Sequence, residues 1–362
     1  MSGPKTHNWI EKLDVYVTGK SKANSEKPPV KLSANESALG PSPKAMAAYK
    51  NAAEDLHRYP DPAYQELRLT LAHKYKIDQK RIVCGVGSDE ILKLVCRAYL
   101  KPGDEAVFVA HSFSMYPIAV TSVGGIPIEV DDVDHTANVD NILASVNEKT
   151  KIIFIANPNN PTGTYLPNNE IERLWKNIPD SVLLVLDAAY AEFINEEDYD
   201  AGISLVEKSQ NVIMTRTFSK LYGLAALRLG WGYSCNEISE TLDKIRDPFN
   251  VPSSAQIAGI EALKDTEFEK LAFDHNQKWR KWLMSELNTL GFTVIPSHTN
   301  FILFKFKDEI KTAKVANDFL LSHGFILRYY NGQGLEKFLR LSVGTETENK
   351  EVISLLKEFM EK

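Results

Sequence analysis

The sequence predicts an α/β fold in which a mostly parallel sheet covered by helices forms a large domain and a smaller α+β domain follows it. From Arg81 onward, short β-branched runs alternate with helical stretches, which is typical of a parallel sheet wrapped by helices. The strand candidates at residues 151–156 and 182–186 are apolar almost throughout, as expected where helices cover both faces of a sheet. After about Val251 the pattern changes to a long helical stretch, about residues 254–290, and then to short strands separated by amphipathic helices.

These patterns divide the chain into three segments. Residues 1–40 are polar, with prolines near their end, and we expect an N-terminal arm that packs on the small domain of its own chain or on a partner subunit, which the composition fits equally well. Residues 41–250 are expected to form the large domain, with strand candidates RIVCGV, EAVFV, IPIEV, KIIFIA, VLLVL, NVIMTRT and RLGWGYS. Residues 251–362 are expected to form the small C-terminal domain, with strand candidates FTVI, NFILFKF, FILRYY and FLRLSVG.

Charge and composition exclude several classes of protein. The 362 residues include 42 Lys+Arg and 48 Asp+Glu, a net charge of −6 that offers nucleic acid no broad electrostatic footprint. The longest apolar runs, such as residues 152–156, are far shorter than the ~18 residues of a membrane-spanning helix, and no secretory signal is recognisable. We therefore expect a cytoplasmic protein with neither membrane nor nucleic acid as partner. The three cysteines form no C-x-x-C pair, so no metal site is expected.

Asp187 ends the apolar strand candidate at 182–186, at the edge of the sheet where ligands bind in open α/β folds. A buried carboxylate is costly unless it meets a cation or good donors, so Asp187 is either an ion-paired or capping residue or the partner of a protonated ligand nitrogen. Tyr190 follows three residues later and is either a core tyrosine or a second contact to the same ligand.

Lys220 follows another strand candidate, beside the hydroxyls of Thr217 and Ser219 and among apolar residues. An apolar setting lowers the pKa of a lysine and leaves a nucleophilic amine, whereas the alternative is a surface lysine that opens a helix. Arg228, eight residues later, suits a bidentate grip on a phosphate or carboxylate, or an ordinary pair with a structural Asp.

Two turns complete the set of candidate sites. In CGVGSDEIL (84–92), glycines lead a strand into a helix whose first amides, at Ser88, Asp89 and Glu90, are free to bind an anion; a plain turn with an N-cap is the alternative. In ANPNNPTG (156–163), two X-Pro steps and a glycine predict an ordered turn at the sheet edge where Asn160 faces a ligand, or a purely structural turn.

Motifs spread over nearly the whole chain accompany these four sites: Y-V-T-G-K (16–20), N-E-S-A-L-G-P-S-P (35–43), R-Y-P (58–60), G-S-D-E (87–90), S-F-S-M-Y (112–116), N-P-N-N-P-T-G (157–163), D-A-A-Y (187–190), T-F-S-K (217–220), L-R-L-G (227–230) and L-R-L-S-V-G-T (339–345). Together they resemble the fold-type I pyridoxal phosphate enzymes, within the class of aminotransferases that includes histidinol-phosphate aminotransferase. Asp-x-x-Tyr, Ser-Lys and the arginine eight residues later form the most specific part of this resemblance.

The resemblance implies a seven-stranded large domain and pyridoxal 5′-phosphate (PLP) as cofactor. It implies that Lys220 binds the cofactor aldehyde covalently and then carries the transferred proton. Asp187 would keep the pyridine nitrogen protonated, Tyr190 and Asn160 would hydrogen-bond the ring's phenolate oxygen, and Phe113 would stack on the ring. The residues implied to bind the cofactor phosphate are Ser88, Asp89, Glu90, Thr217, Ser219 and Arg228.

The resemblance also implies a homodimer and a substrate class. Tyr59 would reach the cofactor phosphate of the neighbouring subunit, and Tyr16 the neighbour's substrate. Arg328 and Arg340, with Asn160, would bind the substrates, implied to be histidinol phosphate and the glutamate/2-oxoglutarate couple.

Two other enzyme activities fit the same motifs, an aromatic amino-acid aminotransferase and a phosphothreonine decarboxylase, because the bond that breaks depends on its orientation to the cofactor ring. A non-catalytic sensor fused to a DNA-binding domain does not fit, since no helix-turn-helix pattern or basic cluster is present. The sequence departs from the family pattern at Thr18, Ser37, Ala38 and His111, where prolines or an asparagine are usual.

Overall fold

The computed structural model describes residues 3–13 and 28–362, so Tyr16 and Thr18 lie outside the described residues. The strands of the described chain are β1 (Val30–Lys31), β2 (Ile82–Val86), β3 (Glu105–Val109), β4 (Ile126–Val130), β5 (Thr150–Ala156), β6 (Leu183–Asp187), β7 (Val212–Thr217), β8 (Leu229–Ser234), β9 (Thr293–Val294), β10 (Phe301–Lys305), β11 (Phe325–Ile326), β12 (Arg328–Tyr329) and β13 (Phe338–Ser342).

Helices connect these strands and cover the sheets. They are α1 (Pro43–Asn51), α2 (Gln65–Tyr75), α3 (Ser88–Tyr99), α4 (Met115–Ser122), α5 (Val139–Ser145), α6 (Asn168–Asn177), α7 (Ile203–Glu207), α8 (Asn236–Ile245), α9 (Ser253–Lys264), α10 (Thr266–Thr289), α11 (Ala313–Ser322) and α12 (Glu346–Glu361). In the part of the chain that the structure describes, no helix is long and apolar enough to cross a bilayer.

The large sheet has seven strands in the order β2-β8-β7-β6-β5-β3-β4. Only β8 runs antiparallel to its neighbours within this sheet. Alternate residues of β5 belong to two different hydrophobic clusters, Ile153 and Ile155 to one and Ile152 and Phe154 to the other, so both faces of the sheet are covered. This burial explains why the central strands are continuously apolar.

A second sheet has four antiparallel strands in the order β12-β13-β10-β9. Its apolar face packs against α10, α11 and α12 in a cluster that includes Trp279, Leu320 and Leu356. The N-terminal strand β1 pairs in parallel with β11, and Leu32 joins the same cluster. The predicted fold class, a large and mostly parallel helix-covered sheet plus a smaller α+β unit, is confirmed. The boundaries at residues 40 and 250 stay a prediction.

The long helix predicted over about residues 254–290 is two helices, α9 and α10. They are separated by Asp265, whose backbone leaves the helical region (φ −88°, ψ 68°). Its carboxylate is buried and lies 3.4 Å from Lys44 Nζ, and aspartate is a poor residue for a helix interior. A tertiary contact therefore accompanies the break, and the periodicity of the sequence gave no sign of it.

Candidate active site

A cavity of about 700 Å³ opens beyond the carboxyl ends of three adjacent strands of the large sheet. Ala156, Asp187 and Thr217 end β5, β6 and β7 and all line it, which is the position of ligand sites in open α/β sheets. The predicted site residues that line this one cavity are Ser88, Asp89, Phe113, Asn160, Asp187, Tyr190, Thr217, Ser219, Lys220, Arg228, Arg328 and Arg340.

Lys220 lies in a turn just after β7 and not in a helix. Its Nζ donates to the carbonyl oxygen of Ala34 at 3.5 Å and lies 5.6 Å from the centroid of the Tyr190 ring. Burial, and secondarily the positive charge of Arg340, lowers the pKa of Lys220 to about 8. At that pKa a substantial part of the amine is neutral near physiological pH, as a nucleophilic lysine requires.

Asp187 is buried at the end of β6 and is held by two hydroxyl donors. Tyr116 OH donates to Oδ2 at 2.9 Å and Thr215 Oγ1 to Oδ1 at 3.4 Å. Burial raises the pKa of Asp187 to about 6, and the Tyr116 hydrogen bond opposes that rise. The carboxylate is thus a desolvated anion aimed at a cavity, a partner for a cationic ligand atom.

Tyr116 was not among the predicted site residues. It is fully buried, stacks on Phe154 with ring centroids 4.8 Å apart, and meets the ring of Phe113 edge-on at 5.7 Å. The motif S-F-S-M-Y contained the signal, because Phe113 and Tyr116 lie three positions apart in the turn that leads into α4, where Tyr116 N donates to the carbonyl oxygen of Phe113 at 3.0 Å.

Tyr190 forms a hydrogen bond with the N-terminal segment, and Asn160 forms one with the small sheet. Tyr190 OH accepts a hydrogen bond from Asn35 Nδ2 at 2.8 Å, and Asn160 Oδ1 accepts one from Arg340 Nη1 at 2.5 Å. Arg340 Nη2 donates to the carbonyl oxygen of Ser33 at 2.8 Å. Asn35, another residue that the sequence analysis assigned no role, is buried with φ +56°, a left-handed conformation that asparagine tolerates better than most residues.

The start of α3 and Arg228 bring several donors together, and Arg228 Nη2 also pairs with Asp89 Oδ2 at 3.2 Å, as the alternative of a structural Asp partner predicted. Arg228 Nη1 donates to Ser219 Oγ at 3.2 Å, and Thr217 Oγ1 donates to the same oxygen at 3.0 Å. There is no room for a side chain here: a Cβ at Gly87 would lie 2.5 Å from Arg228 Nη2, and one at Gly230 would lie 2.2 Å from the amide nitrogen of Ser88. A guanidinium, two hydroxyls and a helix N-terminus are the donors that a phosphate group requires, so these residues fit the phosphate of PLP.

Two predicted residues lie apart from this arrangement. The carboxylate of Glu90 accepts from Val86 N at 2.6 Å and Asn250 Nδ2 at 2.7 Å and does not line the cavity. Its side chain therefore stabilises the turn before α3 and does not face the cavity. Only the backbone amide of Glu90 is left to contact the cofactor phosphate. Tyr59 also lies off the cavity; it is 82% exposed and stacks on Phe249 at 4.6 Å.

The far wall of the cavity carries Arg328, whose guanidinium carbon lies 5.5 Å from the Tyr330 ring centroid. His111 also lines the cavity, paired through Nδ1 with Asp132 Oδ2 at 2.7 Å. One imidazole nitrogen each of His111 and His135 and a carboxylate oxygen of Asp132, all possible metal ligands, lie within 4.8 Å of one another. The ion pair between His111 and Asp132 accounts for the closeness of those two residues. The expectation that the chain binds no metal stays a prediction.

Comparisons with known proteins give one consistent result. The model of the family Aminotransferase class I and II matches residues 27–356. Histidinol-phosphate aminotransferase of Paramagnetospirillum magneticum is 48% identical over 361 residues, and that of Nitrobacter hamburgensis is 46% identical over 362; each match covers 99% of both chains. The structure resembles that of histidinol-phosphate aminotransferase from Sinorhizobium meliloti in complex with pyridoxal-5′-phosphate, with a TM-score of 0.92, 28% identity and coverage of 99% of this chain and 98% of that one.

Proposed function

The chain belongs to the class I and II aminotransferase family, and on that premise we propose that it transfers the amino group of glutamate to imidazole acetol phosphate, giving histidinol phosphate and 2-oxoglutarate. One observation supports this most directly. A lysine with a lowered pKa and a buried aspartate face the same cavity, beside a set of donors suited to a phosphate. That combination is what a PLP-dependent aminotransferase requires.

The chain's own residues account for cofactor binding. Arg228, Thr217, Ser219 and the N-terminus of α3 would bind the phosphate, and Asp187 would bind the pyridine nitrogen. Phe113 would cover one ring face. When bound, PLP supplies an electron sink that stabilises the charge left on carbon after proton loss.

Lys220 supplies the amine that anchors the cofactor and accepts the proton from the substrate carbon at its Nζ. Burial makes this amine a better nucleophile by disfavouring its protonated form. Tyr190, held by Asn35, and Asn160, held by Arg340, are placed to orient the cofactor's phenolate oxygen. The remaining cavity wall, with Arg328 and Arg340, favours substrates that carry phosphate or carboxylate groups.

We also propose a homodimer with two complete sites. Tyr59 and Leu56 are exposed to 82% and 77%, and Phe249 beside them is partly exposed, an apolar cluster that a partner subunit would cover. From there Tyr59 would reach the partner's cofactor phosphate; Tyr16, proposed to reach the partner's substrate, lies outside the described residues. A cytoplasmic location and the division into an arm (1–40), a large domain (41–250) and a small domain (251–362) complete the proposal.

Substrate competition tests the proposed function. The purified protein is assayed with 2-oxoglutarate and, in turn, histidinol phosphate, phenylalanine, tyrosine and phosphothreonine. Histidinol phosphate should have the highest kcat/KM, and a higher value for phenylalanine would contradict the substrate assignment while leaving the chemistry intact. Decarboxylation of phosphothreonine would contradict both the substrate assignment and the proposed transamination.

Replacing Lys220 by Ala should abolish turnover. Among the described residues, Lys31 is the only other lysine that lines the cavity, and its amine is paired with Glu36 at 2.9 Å. The Lys31→Ala variant is the matched control and should keep most of its activity. Substantial transamination by Lys220→Ala would overturn the assignment of the catalytic lysine.

A further inference from the structure

His111 is one of the positions at which the sequence departs from the family pattern, and the sequence predicted no effect of this departure. It follows β3 in the wall of the cavity, two residues before Phe113. Its half-buried imidazole lies between two loops that are distant in sequence. One is the turn of residues 131–136 after β4, and the other is the loop of residues 330–337 between β12 and β13 of the small sheet.

Both ring nitrogens of His111 face hydrogen-bond acceptors. Nδ1 lies 2.7 Å from Asp132 Oδ2, and Nε2 lies 2.8 Å from the carbonyl oxygen of Gln333. A neutral imidazole carries one N–H and can donate to only one of them, whereas an imidazolium donates to both. Only the charged form donates to both acceptors at once, and in that form His111 joins the large sheet to a loop of the small one.

The loop that His111 contacts is held in an unusual conformation. Gln333 has φ +65° between two glycines with positive φ, a conformation that costs a non-glycine residue free energy unless its surroundings hold it. The contact is close, since a Cβ at Gly334 would lie 3.3 Å from His111 Nε2. A side chain without an N–H donor, such as proline, could not make this contact.

The same loop forms part of the cavity wall. Tyr330, Gln333 and Leu335 line the cavity, and the strands that the loop connects carry Arg328 and Arg340. We propose that His111, as an imidazolium, is a positioning residue that tethers the 330–337 loop to the large sheet and so fixes the wall that receives anionic substrates. The effect on catalysis rests on the proposed function; the tether itself does not.

The charged groups around His111 set the pH range of the tether. The hydrogen bond with Asp132 is the main cause of the raised pKa of His111; burial opposes it, and Glu129 reinforces it. His135, whose ring centroid lies 5.7 Å away, has a pKa lowered by burial, and Lys305 also disfavours its charged form, so it adds little repulsion. Because the pKa of His111 is raised, the tether is complete below the ordinary histidine pKa and is lost as pH rises through the raised value.

Hydrogen exchange of the loop tests the tether without reference to activity. Holoenzyme and the His111→Gln variant are compared from pH 6 to 10, with rates corrected for intrinsic exchange. In the unmodified protein, protection of the amides of residues 331–337 should fall as pH rises. In the His111→Gln variant the same amides should be unprotected over the whole pH range. Equal protection in both proteins at pH 6, or protection that does not change with pH, would overturn the proposal.

Asp132→Asn provides a signature that a merely structural role would not produce. It keeps the imidazole but removes the anion, so the midpoint of the change in protection should move to lower pH. Asp131→Asn, an exposed neighbouring change, is the matched control and should leave the midpoint in place. A midpoint unmoved by Asp132→Asn would contradict the assigned pair.

Kinetics connect the tether to substrate binding. At pH 6.5, His111→Gln should raise KM about 3- to 10-fold, the equivalent of one ordinary hydrogen bond, with kcat within about twofold. The difference from the unmodified enzyme should disappear above the raised pKa. A loss confined to kcat would contradict a positioning role. If no substrate is turned over by either protein, the proposed function fails while the exchange measurement still decides the tether.

Discussion

At the scale of single residues, the site depends on polar groups whose partners lie far away in sequence. Asp187 is held by Tyr116, 71 residues earlier, and Tyr190 by Asn35, 155 residues earlier. Each predicted residue was recognisable from its motif, but its hydrogen-bond partner was not. These partners orient Asp187 and Tyr190, and together with burial they shift the pKa values of both groups.

Tyr116→Phe tests one such partner. Removing the hydroxyl takes a donor from a buried carboxylate, which should raise the pKa of Asp187 further above about 6. The acid limb of kcat/KM should therefore move to higher pH, and kcat/KM at neutral pH should fall about 10- to 100-fold, as expected for a hydrogen bond to a charged group. The pH profile of kcat/KM measures both effects.

Tyr75→Phe is the control for this prediction, since its hydroxyl is partly buried and hydrogen-bonded to Tyr222 at 3.1 Å but lies off the cavity. It should leave the pH profile unchanged. Profiles that coincide for Tyr116→Phe and the unmodified enzyme would show that Asp187 does not depend on this donor.

At the scale of elements, the proposed phosphate site depends on the close packing of β8 against the start of α3. Strands β2 and β8 pair antiparallel, with Gly85 opposite Gly230, and the second glycine leaves space for the Ser88 amide. The close approach of two backbones is therefore what presents the helix N-terminus to the cavity.

Gly230→Ala should weaken PLP binding about 10- to 100-fold, because a methyl group 2.2 Å from Ser88 N displaces an amide that would contact the phosphate. Titration of the apoprotein with PLP measures the dissociation constant, and circular dichroism checks the fold. Gly232→Ala, on the same strand, meets only side-chain atoms at 3.2–3.3 Å and should bind PLP nearly normally. Equal affinities for the two variants would argue against this junction as the phosphate site.

At the scale of the whole molecule, the cavity lies where the two sheets and the N-terminal segment meet. Lys220 and Asp187 come from the large sheet, Arg340 comes from the small one, and Asn35 comes from the segment that follows β1. The exposed apolar cluster at Leu56 and Tyr59 is the surface on which we expect a second copy to complete the site.

Leu56→Glu tests that surface. Burying a leucine contributes about 1.5–3 kcal/mol, and a symmetric interface contains the substitution twice, so the dimer dissociation constant should rise at least about 100-fold. Sedimentation velocity over a range of protein concentrations measures it, and activity should fall with dissociation. Ile310→Glu replaces an equally exposed residue elsewhere, 83% accessible, and should not affect assembly. A monomer in both the unmodified protein and the variant would refute the dimer.

The sequence alone determined the fold class, because the alternation of apolar strands and helices is a local pattern. The residues predicted to surround the cofactor followed from motifs that resemble a known family. Only the tertiary structure decided that the Glu90 side chain bonds Val86 and Asn250 instead of facing the cavity, and that Asp265 divides a long helix. It also decided that Tyr116 and Asn35 bond Asp187 and Tyr190, and that His111 reaches Gln333. The physical reason is that a side chain's partner and pKa depend on what the fold places within a few ångströms of it, and residues far apart in the chain supply those neighbours.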